Sequence, residues 1–84
     1  MAKRKTKDIE QAINDILIEE LDIERDEELV PSARLDALGA GDEELVYIAA
    51  HLEHEFEIDL PDDAENHFTT VESIYNYMRR LLRG

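Results

Sequence analysis

The chain is predicted to be all-α, with four helices, one of them short, and a long first loop. Three observations carry this reading. Apolar residues recur at helical spacing in three separate stretches, no stretch alternates apolar and polar residues as a half-buried strand does, and Pro31, Gly39, Gly41 and Pro61 all fall between those stretches.

The first helix is expected from about Asp8 to Leu21, with Ile9, Ala12, Ile13, Ile16 and Leu17 on one face. Asp8 followed by Gln11 has the form of a capping box, in which each residue satisfies an orphan backbone donor of the other. Residues 1–7 are expected to be flexible. Asp22–Gly41 then forms a connection that is long beside the usual 4–6 residues or so, and Leu29, Val30, Leu35 and Leu38 are its candidate anchors to the core.

The second helix is expected to begin at Asp42 and end near Phe56, burying Leu45, Ile48, Ala49, Leu52 and Phe56. Pro61 prevents its continuation, and Asp62–His67 has room for one or two short turns. Thr69-Thr70-Val71-Glu72 is a second capping-box pattern. It opens a last helix with Val71, Ile74, Met78 and Leu81 or Leu82 inward, and with Arg79, Arg80 and Arg83 near a C-terminus whose dipole favours cations.

Composition narrows the function classes. Eighty-four residues suit a single domain, 1–84, with one core and no deep cleft. Without cysteine there is no disulfide, thiolate metal site or cysteine nucleophile. No apolar run approaches the roughly 20 residues of a membrane span, and the basic start MAKRKTK leads into a charged amphipathic stretch, so a soluble cytoplasmic protein is expected. With 22 acids against 9 bases the formal net charge is -13, and between Leu35 and Met78 there is no Lys or Arg. Such a surface repels nucleic acid and anionic membrane and steers toward basic protein patches. It is also what a face kept acidic for solubility looks like.

Residues 38–71 carry the most specific signal: the lead-in Leu38-Gly39-Ala40, the Leu-Glu-x-Glu-Phe segment Leu52–Phe56, the acid-apolar-Pro-Asp step Asp59–Asp62, and Phe68-Thr69-Thr70-Val71. Without a gap, this stretch resembles the acyl carrier proteins. The resemblance implies an acyl-carrier-protein-like four-helix bundle with a long first loop and a short third helix. In that family a serine opening the second helix is esterified to phosphopantetheine, which carries acyl groups between enzymes. Where the family has Asp-Ser-Leu, this chain has Gly41-Asp42-Glu43. Asp42 has no hydroxyl to phosphorylate, and Ser32 and Ser73 lie elsewhere, so the cofactor phosphopantetheine is not expected here.

Asp42 has two readings. Aspartate is a good N-cap, contributing about 0.5–2 kcal/mol, and Glu43 and Glu44 add charge that the helix dipole favours. Alternatively, its carboxylate stands in for the first phosphate charge of a modified serine. The resemblance also implies a docking surface on the second helix. Glu44, Val46, Glu53 and Asp62 keep the character expected at partner-facing positions; Glu43 replaces an apolar residue, and Tyr47 and Ala50 stand where the family commonly has an acid and a large apolar residue. The expected partner-binding set is Asp42, Glu43, Glu44, Val46, Tyr47, Glu53 and Asp62.

His51, His54 and Glu55 share one side of the second helix, with His67 a candidate to approach them, but two histidines at this spacing need further fixed ligands and HLEHE is not the HExxH of zinc proteases. No metal site and no enzymatic activity are expected. Tyr47, Tyr75 and Tyr77 could form an aromatic patch, although Tyr75 or Tyr77 is better placed to edge the core.

The expectation is therefore a monomeric acyl-carrier-protein-like module that has lost its attachment serine and acts as a protein-interaction or regulatory domain. Its partner would carry a basic docking patch, as an enzyme of acyl metabolism could. The alternative is an inactivated or engineered variant of a true carrier in fatty-acid, polyketide or related acyl metabolism. An acidic mimic filling the basic groove of a nucleic-acid-binding protein is a third class.

Overall fold

The structure, a computed structural model, describes residues 6–83. Three α-helices, α1 (Thr6–Leu21), α2 (Asp42–Phe56) and α3 (Val71–Arg83), pack around one core, with 3-10 turns at Asp26–Glu28 and Ala64–His67. The protein is all-α among the described residues, the backbone pairing outside helices being a single antiparallel bridge between Arg34 and Thr70. Where the sequence predicts a short third helix, the chain makes only a four-residue 3-10 turn, Ala64–His67, so the described residues form three α-helices and not the expected four-helix bundle. A turn in which the Pro61 carbonyl accepts from the Ala64 N–H leads into this 3-10 turn, which ends at Phe68, whose backbone is extended (φ -97°, ψ 97°) and whose side chain is buried in the core.

Of the expected flexible segment, residues 1–5 lie outside the described residues, while Thr6 and Lys7 already belong to α1. Among the described residues the helix is thus already formed two residues before the expected Asp8, which sits in the first turn; Gln11 donates to Asp15 one turn on, at 3.0 Å, so no Asp8–Gln11 box forms. The expected inward face holds except at Ala12, which is half-buried while Ile9, Ile13, Ile16 and Leu17 are buried.

Helices α1 and α2 both close on a left-handed residue that is not glycine. Asp22 (φ 53°) follows α1 with Ile23 N–H donating to Ile18 C=O, and Glu57 (φ 55°) follows α2 with Ile58 N–H donating to Glu53 C=O. In each case the chain folds back so that an apolar residue, Ile23 or Ile58, packs on the core. Gly39 (φ 98°) ends the turn after Arg34 in the same manner, and there the positive φ explains the glycine.

The long connection is tied down by Leu29, Leu35 and Ala40, all buried, and by half-buried Leu38. Val30, one of the expected anchors, is instead exposed. The connection is also bonded to the start of α3. Pro31 and Ala33 offer their carbonyls to the N–H groups of Glu72 and Val71 at 2.9 and 3.0 Å, and Leu35 N–H donates to Thr69 C=O at 2.9 Å. Helix starts carry backbone donors with no partner inside the helix, and here a distant loop supplies two of the acceptors.

The cap of α3 differs by one residue from the sequence expectation. Thr70 and Ser73, not Thr69 and Glu72, make the reciprocal pair: Thr70 Oγ1 accepts from Ser73 N–H at 3.1 Å, and Ser73 Oγ accepts from Thr70 N–H at 3.0 Å and Thr69 N–H at 2.9 Å. Serine replaces the usual glutamate of a capping box, its shorter side chain reaching the same donors. Inward on α3 are Val71, Ile74, Tyr75 and Met78, with Leu82 half-buried and Leu81 exposed. Tyr75 donates its hydroxyl to Asn14 of α1, and Arg79 forms an ion pair with Glu10 while lying 5.8 Å from the Tyr75 ring. Arg79 thus ties α3 to α1. Together, Glu10 with Arg79 and Asn14 with Tyr75 show that α1 and α3 run antiparallel.

Candidate functional site

Helix α2 has one face in the core and one in solvent. Ile48, Ala49 and Leu52 are buried, and Leu45 and Phe56, expected to be buried as well, are half-buried against the core. The side opposite them carries Glu43, Tyr47, Ala50 and His54, with Val46 and His51 alongside, all exposed. Among the described residues the large apolar side chains left exposed are Val30 (49%), Val46 (49%), Tyr47 (48%) and Leu81 (42%), of which Val46 and Tyr47 are neighbours in the chain.

The start of α2 corrects the expected role of Asp42. Gly41 is the N-cap, in extended backbone, and Asp42 is the first helical residue. Glu44 turns its carboxylate back onto Gly41 N–H at 2.9 Å, which is half of a capping box; the other half cannot form because glycine has no side-chain acceptor. Asp42 therefore contributes charge at the positive end of the helix dipole, not a cap bond. Asp42 and Glu43 are exposed. Glu43 also accepts a 2.7 Å hydrogen bond from the Tyr47 hydroxyl one turn on, and that bond with the nearby carboxylate charge raises the Tyr47 phenol above its ordinary range.

The seven residues of the expected docking set are not equivalent. Glu43, Val46 and Tyr47 come together on the outward side, with Asp42 at its beginning. Glu44 and Glu53 are half-buried and, at 100° per residue, fall on opposite flanks of α2. Glu53 is engaged within the fold, where its carboxylate accepts from Leu60 N–H at 2.7 Å and holds the return of the chain toward Pro61. Asp62 is exposed on the turn after Pro61. Ala50, His51 and His54, absent from the expected set, complete the outward stripe. Their positions were legible from spacing alone, since 43, 47, 50 and 54 recur with the helical repeat.

The histidines go separate ways. His51 lies 3.2 Å from Glu20 of α1, His54 borders a shallow depression with Glu53, Glu55, Glu57, Ile58 and Asp59, and His67 stacks on Tyr77 at 5.4 Å between ring centres. Among the described residues no three His, Asp or Glu side chains are grouped to hold a metal ion. The tyrosines likewise form no single patch: Tyr75 is buried, Tyr77 packs edge-on to Phe68 at 5.6 Å, and Tyr47 stands on the outer face of α2. Among the described residues no helix is long and apolar enough to cross a membrane.

What this arrangement offers chemically is a surface. An acidic helix start leads into two adjacent apolar side chains and then into two imidazoles, all facing solvent. No family model matches the chain.

Proposed function

We propose that this protein is an acyl-carrier-protein-like module without the phosphopantetheine attachment residue, serving as a protein-interaction or regulatory domain that docks through α2 on a basic patch of a partner protein. An enzyme of acyl metabolism is a fitting partner class. The observation that carries the reading is the exposed pair Val46 and Tyr47 on the first half of α2, beside the acids Asp42 and Glu43. Adjacent large apolar side chains left in water are a feature of interaction sites, and charges at their rim steer the encounter. The resemblance over residues 38–71 supports the carrier-like part. We take the Ala64–His67 turn as the counterpart of the family's short third helix, and the long connection before α2 as its long first loop.

Intact mass after incubation with a phosphopantetheinyl transferase and coenzyme A tests the loss of attachment. The chain gains no phosphopantetheine, and Asp42→Ser gains it only weakly because Gly41 and Glu43 also differ from the family pattern. Stoichiometric modification of the unsubstituted chain would refute the reading. Docking is tested by affinity capture from source lysate with Glu43→Lys and Tyr47→Ser variants, which avoid Glu53 because of its bond to Leu60. Recovery of the same proteins in the same amounts by all forms would remove α2 as the docking face.

A further inference from the structure

The outward stripe of α2 has a second half. Two four-residue holes of the kind that receive a side chain from a facing helix lie along it: Glu43, Val46, Tyr47 and Ala50 bound the first, and Tyr47, Ala50, His51 and His54 the next. All six residues are exposed. Ala50 is common to both holes, and its small side chain leaves room for a large apolar residue. Acid borders the first hole, and two imidazoles border the second.

We propose that this stripe receives an amphipathic basic helix of the partner protein and that protonation of His51 and His54 releases it. The inference rests on the docking reading above and adds its regulation. Charge selects the occupant. With a net charge of -13 two copies of the chain repel each other, whereas a helix carrying Lys or Arg around an apolar ridge is attracted to Asp42 and Glu43 beside the first hole.

Imidazole changes charge within the range of about pH 5 to 8. Neutral, the two rings are a weakly polar wall for an apolar side chain. Protonated, they put cations where a basic helix must enter, and those charges lose water on binding. The carboxylates around them supply the attraction that protonation cancels. Glu20 of α1 faces His51 at 3.2 Å, with Glu55 one turn along the same helix as His51; Glu53, Glu55, Glu57 and Asp59 share the depression that His54 borders. The other element packed on α2, the Ala64–His67 turn, carries Glu65 and His67, the latter stacked on Tyr77. Because linkage is reciprocal, a ligand that disfavours protonated imidazole binds more weakly as pH falls and protons are taken up. A unit charge at about 6 Å in water changes an affinity roughly three-fold, so two imidazolium ions weaken binding about ten-fold.

The probe is a synthetic helical peptide with leucine on one face and lysine on the other. It is titrated into isotope-labelled protein at constant ionic strength, at about pH 7.5 and about pH 5.5, on either side of imidazole titration. The expected result is amide shifts centred on Tyr47–His54, with binding about ten-fold weaker at the lower pH. The His51→Gln, His54→Gln double variant should bind alike at both. His54→Gln alone, which leaves the His51–Glu20 contact in place, should remove about a three-fold share of the effect. An equal fall in the double variant would overturn the proposal by assigning the effect to carboxylates. Binding by the unsubstituted chain that ignores pH would sink the release while leaving docking intact. Absence of shifts on α2 at the higher pH would remove both.

Discussion

The starts of α2 and α3 solve the same problem in opposite ways. At α3 each orphan donor is met from within the protein: Thr70 and Ser73 cap each other, and the carbonyls of Pro31 and Ala33 arrive from the long connection to take the N–H groups of Glu72 and Val71. At α2 the cap is a glycine, the single side-chain bond is from Glu44 back to Gly41, and Asp42 and Glu43 face solvent. One start is a structural joint on which the loop is hung. The other is left open, with acids and apolar side chains exposed to solvent. Side-chain and loop bonds are therefore concentrated at the start of α3, and exposed acidic and apolar side chains at that of α2.

Five substitutions would break or sharpen that contrast. The largest effect is expected from Leu35→Ala, because Leu35 is 1% exposed and lies in the loop segment bonded to α3. Removing so buried a side chain costs about 3 kcal/mol, read as a lower midpoint in denaturant unfolding. A loss near zero would mean that the loop is not part of the core.

Ser73→Ala should cost about 1.5 kcal/mol, since it leaves Thr69 N–H and Thr70 N–H without their acceptor. The same measurement on Asp42→Asn should change stability by less than about 0.5 kcal/mol, as expected of a surface site without cap bonds. Equal losses at the two sites would abolish the contrast.

Gly41→Ser sharpens the comparison by supplying the missing half of the α2 box. The added Cβ would meet Glu44 Oε1 at 3.0 Å, the mobile end of a flexible side chain that can give way. A gain of a few tenths of a kcal/mol is expected by thermal or chemical unfolding. A clear loss would show that the Glu44 bond cannot adjust.

The smallest effect concerns Tyr47. Its raised phenol pKa means that folding favours the neutral form. That contribution is present below the ordinary phenol range and is lost as pH rises through the raised value. Glu43→Gln removes the carboxylate that is the first cause, so tyrosinate absorbance should appear at lower pH than in the unsubstituted chain. An unchanged titration would place the cause elsewhere.

Much of this was legible from local pattern. The bounds of α2, Asp42–Phe56, follow from periodicity between Gly41 and Pro61, and its outward stripe follows from the same repeat. Three expectations about helix starts missed by a residue or two. A side chain that resembles a cap, such as Asp8, Asp42 or Thr69, becomes one only if the backbone enters the helix at that residue, and sequence leaves that entry point uncertain by about two residues. Glu53 reads as a docking residue because its acidic character fits, yet its bond to Leu60 depends on how the chain returns after Glu57.

The sequence by itself determined the all-α class, the inward faces of the three helices, the acidic character of the middle of the chain and the absence of a hydroxyl at residue 42, since each depends on residue type and spacing over a few turns. Only the tertiary structure decided that Leu29 and Leu35 anchor the long connection while Val30 does not, that Pro31 and Ala33 serve the start of α3, and that Arg79 joins Glu10 and Tyr75 joins Asn14 across the α1–α3 contact. These pairings link residues far apart in the chain, and their partners are chosen by which surfaces the packed core brings within hydrogen-bonding reach. No local preference encodes that choice, because a carbonyl at Pro31 has the same chemistry whether it meets Glu72 or water.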